Sequence, residues 1–204
     1  MNLPTSPYLQ QVHEWPEEGK HILASYDDRT IVVYQAYRPA IGEYAIRNGH
    51  LGGPDFSYSR MSWIKPNFLW MMYRSGWGSK EGQEITLGLR IGRPFFDRIL
   101  GLAVASTYYP DRHPTHEAWQ QALTDSDVRL QWDPDHDPHG VKQARRAVQL
   151  GLRGAVLEAF GKAELIEVID MTAFVAEQRQ RVEARDLQSL HTPREQIYVH
   201  AMSN

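Results

Sequence analysis

Apolar and polar positions along the chain follow two periods. Residues 30–36, Thr-Ile-Val-Val-Tyr-Gln-Ala, are dense in β-branched side chains and read as a strand. Residues 61–64, 84–91, 128–132 and 164–169 read the same way, and 195–200 looks like a final strand. Helical spacing predicts a helix over 38–48, with Pro39 just inside its start and Gly49 just past its end. A short helix is expected over 67–75, entered through Pro66 and stopped by Ser75 and Gly76, with Phe68, Leu69, Met72 and Tyr73 toward one side. Further helices are predicted at 94–105, 152–160 and 172–187, the last rich in Glu, Gln and Arg as a solvated face would be, with a helical turn at 117–123. Residues 1–19, holding Pro4, Pro7, Pro16 and Gly19, read as an irregular lead-in, 106–116 as a loop, and 133–140 as a turn.

Strands and helices alternate, but the helices are short and the loops irregular. The expected architecture is therefore α+β, one domain over 20–204 with a mixed central sheet, rather than a regular doubly wound sheet. A length of 204 residues with 42% hydrophobic content suits a single domain with a substantial core. A net charge of −3 argues against a protein that coats nucleic acid non-specifically, while leaving room for a local basic pocket. With no cysteine, thiol nucleophiles and cysteine-based metal sites are excluded. The first residues lack the basic start and apolar core of a signal peptide, and no apolar run approaches spanning length, so a soluble cytoplasmic protein without a membrane partner is expected.

The densest chemistry lies at 60–77, where three Trp, a Phe and a Tyr share a strand-to-helix segment with Arg60, Lys65 and Arg74. Stacking of bases and gripping of phosphates need both residue types together; the alternative is a core segment whose cations reach out to water. A helix beginning after Lys65 would present free N–H groups as an anion site. At the end of the first strand, alternation puts Gln35 and Tyr37 on one face, and Arg38 follows them as a third candidate. Arg153, in Gly-Leu-Arg-Gly, is either a phosphate clamp or a helix cap with a surface cation. The cluster Asp133, Asp135, His136, Asp137 and His139 is rich in metal-ligand types, but its prolines suggest a turn with solvated acids, and no metal is expected. P-loop, dinucleotide-fold and nucleophile-elbow motifs are absent, as is the lysine–x–Asp–Gly motif of nucleotidyl-transferring ligases.

Tyr34-Gln-Ala-Tyr, the run Arg60-Met-Ser-Trp-Ile-Lys-Pro-x-Phe-Leu-Trp-Met-Met-Tyr-Arg-Ser-Gly-Trp, Gln131-Trp-Asp-Pro and Gln149-x-Gly-Leu-Arg-Gly together resemble domain-of-unknown-function family 4291, over about residues 20–170. The resemblance implies joining of RNA ends, tRNA foremost, in which a 2′,3′-cyclic phosphate meets a 5′-hydroxyl without ATP or a metal. It implies Lys65, Arg74 and Arg153 on the phosphate, Tyr73 or a histidine as proton shuttle, and Trp63 or Trp132 stacked on terminal bases. Gln35, Tyr37, Arg38, Arg60, Ser62, Asp133 and Gln149 complete the expected substrate contacts. The order of elements is also similar to ADP-ribosyltransferase folds, which implies NAD as the alternative cofactor and Glu195 as a catalytic acid, although Gln35 stands where those enzymes use His or Arg. A third reading is a binding module that uses the same pocket without chemistry.

Overall fold

The computed structural model describes residues 3–199. Among them the elements run β1 (Thr5–Pro7), α1 (Tyr8–Gln11), β2 (Gly19–Lys20), β3 (Leu23–Tyr26), β4 (Thr30–Tyr37), α2 (Pro39–Asn48) and β5 (Ser62–Ile64). Next come α3 (Phe68–Ser75), β6 (Ile85–Gly92), α4 (Arg93–Leu102), β7 (Val104–Ala105), α5 (His116–Asp125), β8 (Val128–His136) and β9 (Lys142–Leu152). The chain ends with α6 (Gly154–Gly161), β10 (Leu165–Asp170), α7 (Thr172–Glu183), β11 (His191–Pro193) and β12 (Gln196–Ile197). The fold is a mixed α+β single domain. His200, at the end of the expected final strand, lies outside the described residues.

One sheet has the order β10-β6-β4-β3-β12 and is antiparallel throughout. Its central strand, β4, reads as an almost unbroken apolar run because both of its faces are covered. Ile31 and Val33 face a core shared with α4, α6 and the second sheet, whereas Val32 and Tyr34 face a second core built from α3, α7 and the N-terminal segment. The second sheet has the order β2-β9-β8-β7, with β5 also paired to β9. The two sheets are joined by backbone. The Tyr34 N–H donates to the Lys65 carbonyl at 2.7 Å and the Lys65 N–H returns a bond to the Tyr34 carbonyl at 3.2 Å, so the chain leaving β5 is pinned to the middle of β4.

One strand was not anticipated, and two expectations need correction. The Arg-rich stretch 142–152 is a long strand, β9, whose alternation is hidden because one inward position is a cation. That cation, Arg145, forms a buried ion pair with Asp135 at 2.5 Å, lies 5.3 Å over the Trp15 ring, and donates to the Pro16 carbonyl at 2.9 Å. The 133–140 segment is accordingly not a turn of solvated acids: β8 continues to His136, Asp135 and His136 are both buried, and the turn begins at Asp137. There the Asp137 carboxylate accepts from the His139 and Val141 N–H groups. The first nineteen residues are not a loose lead-in either. β1 pairs with β11, and Leu3, Tyr8 and Trp15 are buried in the core against α3 and α7.

The helix over 94–105 stops at Leu102 and the chain extends into β7, while α7 stops at Glu183 rather than 187. In α3, Pro66 precedes the cap instead of opening the helix. Asn67 is the N-cap, its side chain accepting from the Trp70 N–H at 2.6 Å, and Gly76 closes the helix in the left-handed region at φ 57°.

The Asp135–Arg145 pair allows a direct test. Removing one partner strands a buried charge, so Arg145→Met alone is expected to cost about 3–5 kcal/mol, whereas the double change Asp135→Leu with Arg145→Met costs much less. Urea unfolding of the single and double variants measures the difference, and equal losses in both would refute this account.

Candidate functional site

β4, β5 and α3 meet around a cleft of about 470 Å³. The pinning of Lys65 to Tyr34 sets its geometry, because it brings the chain leaving β5 alongside the C-terminal half of β4. Gln35 and Tyr37 enter from β4, and Ser62, Trp63 and Lys65 from β5 and its continuation. Arg60 enters just before β5, and Arg74 from the last turn of α3.

Gln35 is buried and holds the wall together. Its Nε2 donates to Ser62 Oγ at 2.6 Å and to the Trp63 carbonyl at 3.3 Å, and its Oε1 accepts a short bond from the Tyr37 hydroxyl. Burial pushes the Tyr37 phenol well above its ordinary value, so it stays protonated and acts as a donor. Lys65 is 6% exposed, with Nζ donating to the Trp63 carbonyl at 3.2 Å. Burial, followed by the neighbouring Arg74, pushes its amine down to about 8, against the opposing pull of Asp133. Among the described residues, neither Arg60, Lys65 nor Arg74 forms an ion pair, and no Asp, Glu or His lines the cleft.

Trp63 connects the cleft to one face of the β8–β9 pair through the β5–β9 ladder. Register puts Trp63 beside Gly151 and Arg129, and puts Gln149 opposite Gln131. Both oxygens of Asp133 accept side-chain amide bonds, from Gln131 and Gln149, each at 2.8 Å. Gly151 is needed here, since a Cβ would meet the Trp63 ring at 3.0 Å and the Met61 sulfur at 2.7 Å; the indole lies against bare backbone. Arg129 was missing from the sequence-derived candidates, and Gln131 entered only through its motif, without a role. Their signal is the i, i+2, i+4 alternation Arg129, Gln131, Asp133. The Arg129 Nε is buried without a protein partner.

Not every candidate converges on the cleft. Trp132 lies on the opposite face of β8, across from Val148. Arg153 caps α6, and its guanidinium is held by Asp127 at 3.4 Å and by the Thr124 carbonyl. Arg38 is exposed and paired to Asp55 at 2.7 Å. Tyr73 stacks on His136 at 3.6 Å on the other side of α3, where it lines a separate groove of about 500 Å³ with Trp77 and the turn 137–140. The expected anion site at the start of α3 is filled by the protein itself. The buried Glu195 carboxylate accepts from the Phe68 N–H at 2.7 Å and from the Asn67 amide at 3.5 Å, while the Glu195 N–H donates to Gln11. Glu195 therefore anchors a helix and does not line the cleft.

Burial raises the Glu195 carboxyl well above its ordinary range. Below that range both folded and unfolded chains hold the proton. As the pH rises, the unfolded chain releases it first, so the folded state loses stability. Glu195→Gln is thus expected to be more stable than the wild type at pH 7, with the gain gone by roughly pH 4. Urea melts at both values provide the check, and a pH-independent difference would contradict it.

No curated protein matches the chain. A family model described as a domain of unknown function (DUF4291) matches residues 21–198, which include both walls of the cleft and the β8–β9 face. The protein belongs to that family.

Proposed function

We propose that this cleft binds phosphate at RNA ends, and that the protein joins a 2′,3′-cyclic phosphate end to a 5′-hydroxyl end. The observation that carries the reading is the cleft's lining: Arg60, Lys65 and Arg74 converge with no carboxylate among the described lining residues, next to the Trp63 indole. Cations without acidic partners favour an anion, and a flat ring beside them favours a base attached to it. A cyclic phosphate is already a strained, activated ester, so joining requires only alignment, charge stabilisation and proton movement. In this scheme Arg60 and Arg74 take the phosphate oxygens. Ser62, fixed by Gln35, orients the ends, and Trp63 stacks on a terminal base. A tRNA cleaved in a loop, in the cytoplasm, would supply such ends.

An ADP-ribosyltransferase-like reading rests on the polar strand-end residue Gln35 bonded to Ser62. Glu195, its expected acid, is sequestered beneath α3, which leaves that reading weaker.

The test is a gel assay on cleaved RNA carrying both ends, run with EDTA and no nucleotide, beside a lane with labelled NAD. A longer, RNase-sensitive product in the EDTA lane is the expected result. Label transferred from NAD would replace this proposal with ADP-ribosylation, and RNA retention without product would leave a binding module. Arg74→Ala is expected to lower turnover roughly 10²–10³-fold, the usual loss for one preorganised donor at developing charge.

A further inference from the structure

The joining reaction needs a base for the 5′-hydroxyl, and the cleft lacks the usual ones. Among the described residues, no histidine or carboxylate lines it. Arg60 and Arg74 cannot release a proton at any ordinary pH. The Tyr37 phenol is held protonated by burial and already donates to Gln35. Tyr73 faces the groove across α3. Ser62, Gln35 and Gln83 are not bases. One amine remains. Lys65 Nζ is buried at the cleft and makes a single hydrogen bond, to the Trp63 carbonyl.

We propose that Lys65 Nζ is the general base of this cleft, in its neutral form taking the proton of the attacking 5′-hydroxyl. The inference rests on the RNA-joining reading above, and it moves Lys65 from gripping phosphate to moving a proton. As the 5′ oxygen bonds to phosphorus, its proton passes to the Nζ lone pair. The bond between phosphorus and the 2′ oxygen breaks, and that oxygen takes a proton from water at the open mouth of the cleft. Lys65 then returns its proton to the hydroxide so formed, and the proton count closes. Arg60 and Arg74 carry the phosphate charge, which frees the amine to be neutral.

The surroundings set the fraction that is neutral. Arg74 on α3 and burial push the amine down to about 8, Asp133 on β8 pulls the other way, and Arg60 and Tyr37 are the remaining titratable groups of the lining. An amine at that value is roughly a tenth neutral at pH 7, close to the match of base and working pH that proton transfer favours.

The experiment is the pH profile of kcat/KM for joining, by wild type and four variants with unchanged thermal transitions. Wild type should rise about tenfold per pH unit and level off near 8. Lys65→Arg keeps the charge and should retain RNA while losing roughly 10²–10⁴-fold in rate, and Lys65→Met should lose as much. Arg74→Gln should move the inflection to higher pH and Asp133→Asn to lower pH, opposite shifts that a purely structural lysine would not produce. A Lys65→Arg variant within a few-fold of wild type, or an inflection that neither neighbour moves, overturns the proposal. Competitive acetylation read by mass spectrometry follows the amine independently of activity, and a Lys65 titrating with ordinary lysines at roughly 10.4 overturns it as well. A low-titrating Lys65 in a protein that joins no ends overturns the joining reading, and this role with it.

Discussion

Two backbone hydrogen bonds, between Tyr34 and Lys65, hold this molecule's logic. They are the direct ladder connection between the antiparallel sheet and the end of β5. Because side chains alternate along a strand, fixing the Lys65 backbone against β4 also fixes which way its amine points relative to Gln35 and Tyr37. A flexible cation on a loop would remain solvated and fully charged. Tied into a ladder, this one is only 6% exposed and lies near Arg74 of α3, so poor hydration and a second positive charge lower its affinity for a proton.

Helix α3 divides the molecule's chemistry. Arg74 and Met71 face the cationic cleft, while Tyr73 and Met72 face the groove on the other side. Its start is tied down by Asn67 and by Glu195, a residue from the far end of the chain. The orientation of the helix therefore depends on chain segments well over a hundred residues apart. Position along α3 decides which compartment a side chain serves, so adjacency in the motif is no guide to adjacency in space.

Much of the fold was legible because pattern and environment agree. The β-branched run at 30–36 became the central strand, and Pro39 and Gly49 bracketed α2 as helix chemistry demands. The reading failed where a buried charge replaced an apolar residue. Arg145 hid the alternation of β9, so no strand was predicted there, and Asp135 with His136 made the end of β8 look like a turn. For the site, the sequence brought out Arg60, Ser62, Trp63, Lys65 and Arg74, which do meet, because they are local to one segment. It could not separate Tyr73 or Trp132 from them, since the side of a helix or sheet that faces a cleft is decided by tertiary packing. Arg153 went astray for another reason: its partner Asp127 lies on the strand entry facing it, a pairing invisible from the glycines that flank it.

The N-terminal segment carries a consequence for where this domain begins. The family match starts at residue 21, yet Gln11 bonds to the Glu195 N–H and to Thr192, Trp15 donates to the Glu195 carbonyl, and the Trp15 ring covers Arg145. A chain trimmed to the matched residues would uncover the ion pair and loosen the carboxylate that anchors α3. The boundary that matters for folding thus lies upstream of the boundary seen by sequence similarity. In this chain it is the flat ring of Trp15 that roofs the guanidinium.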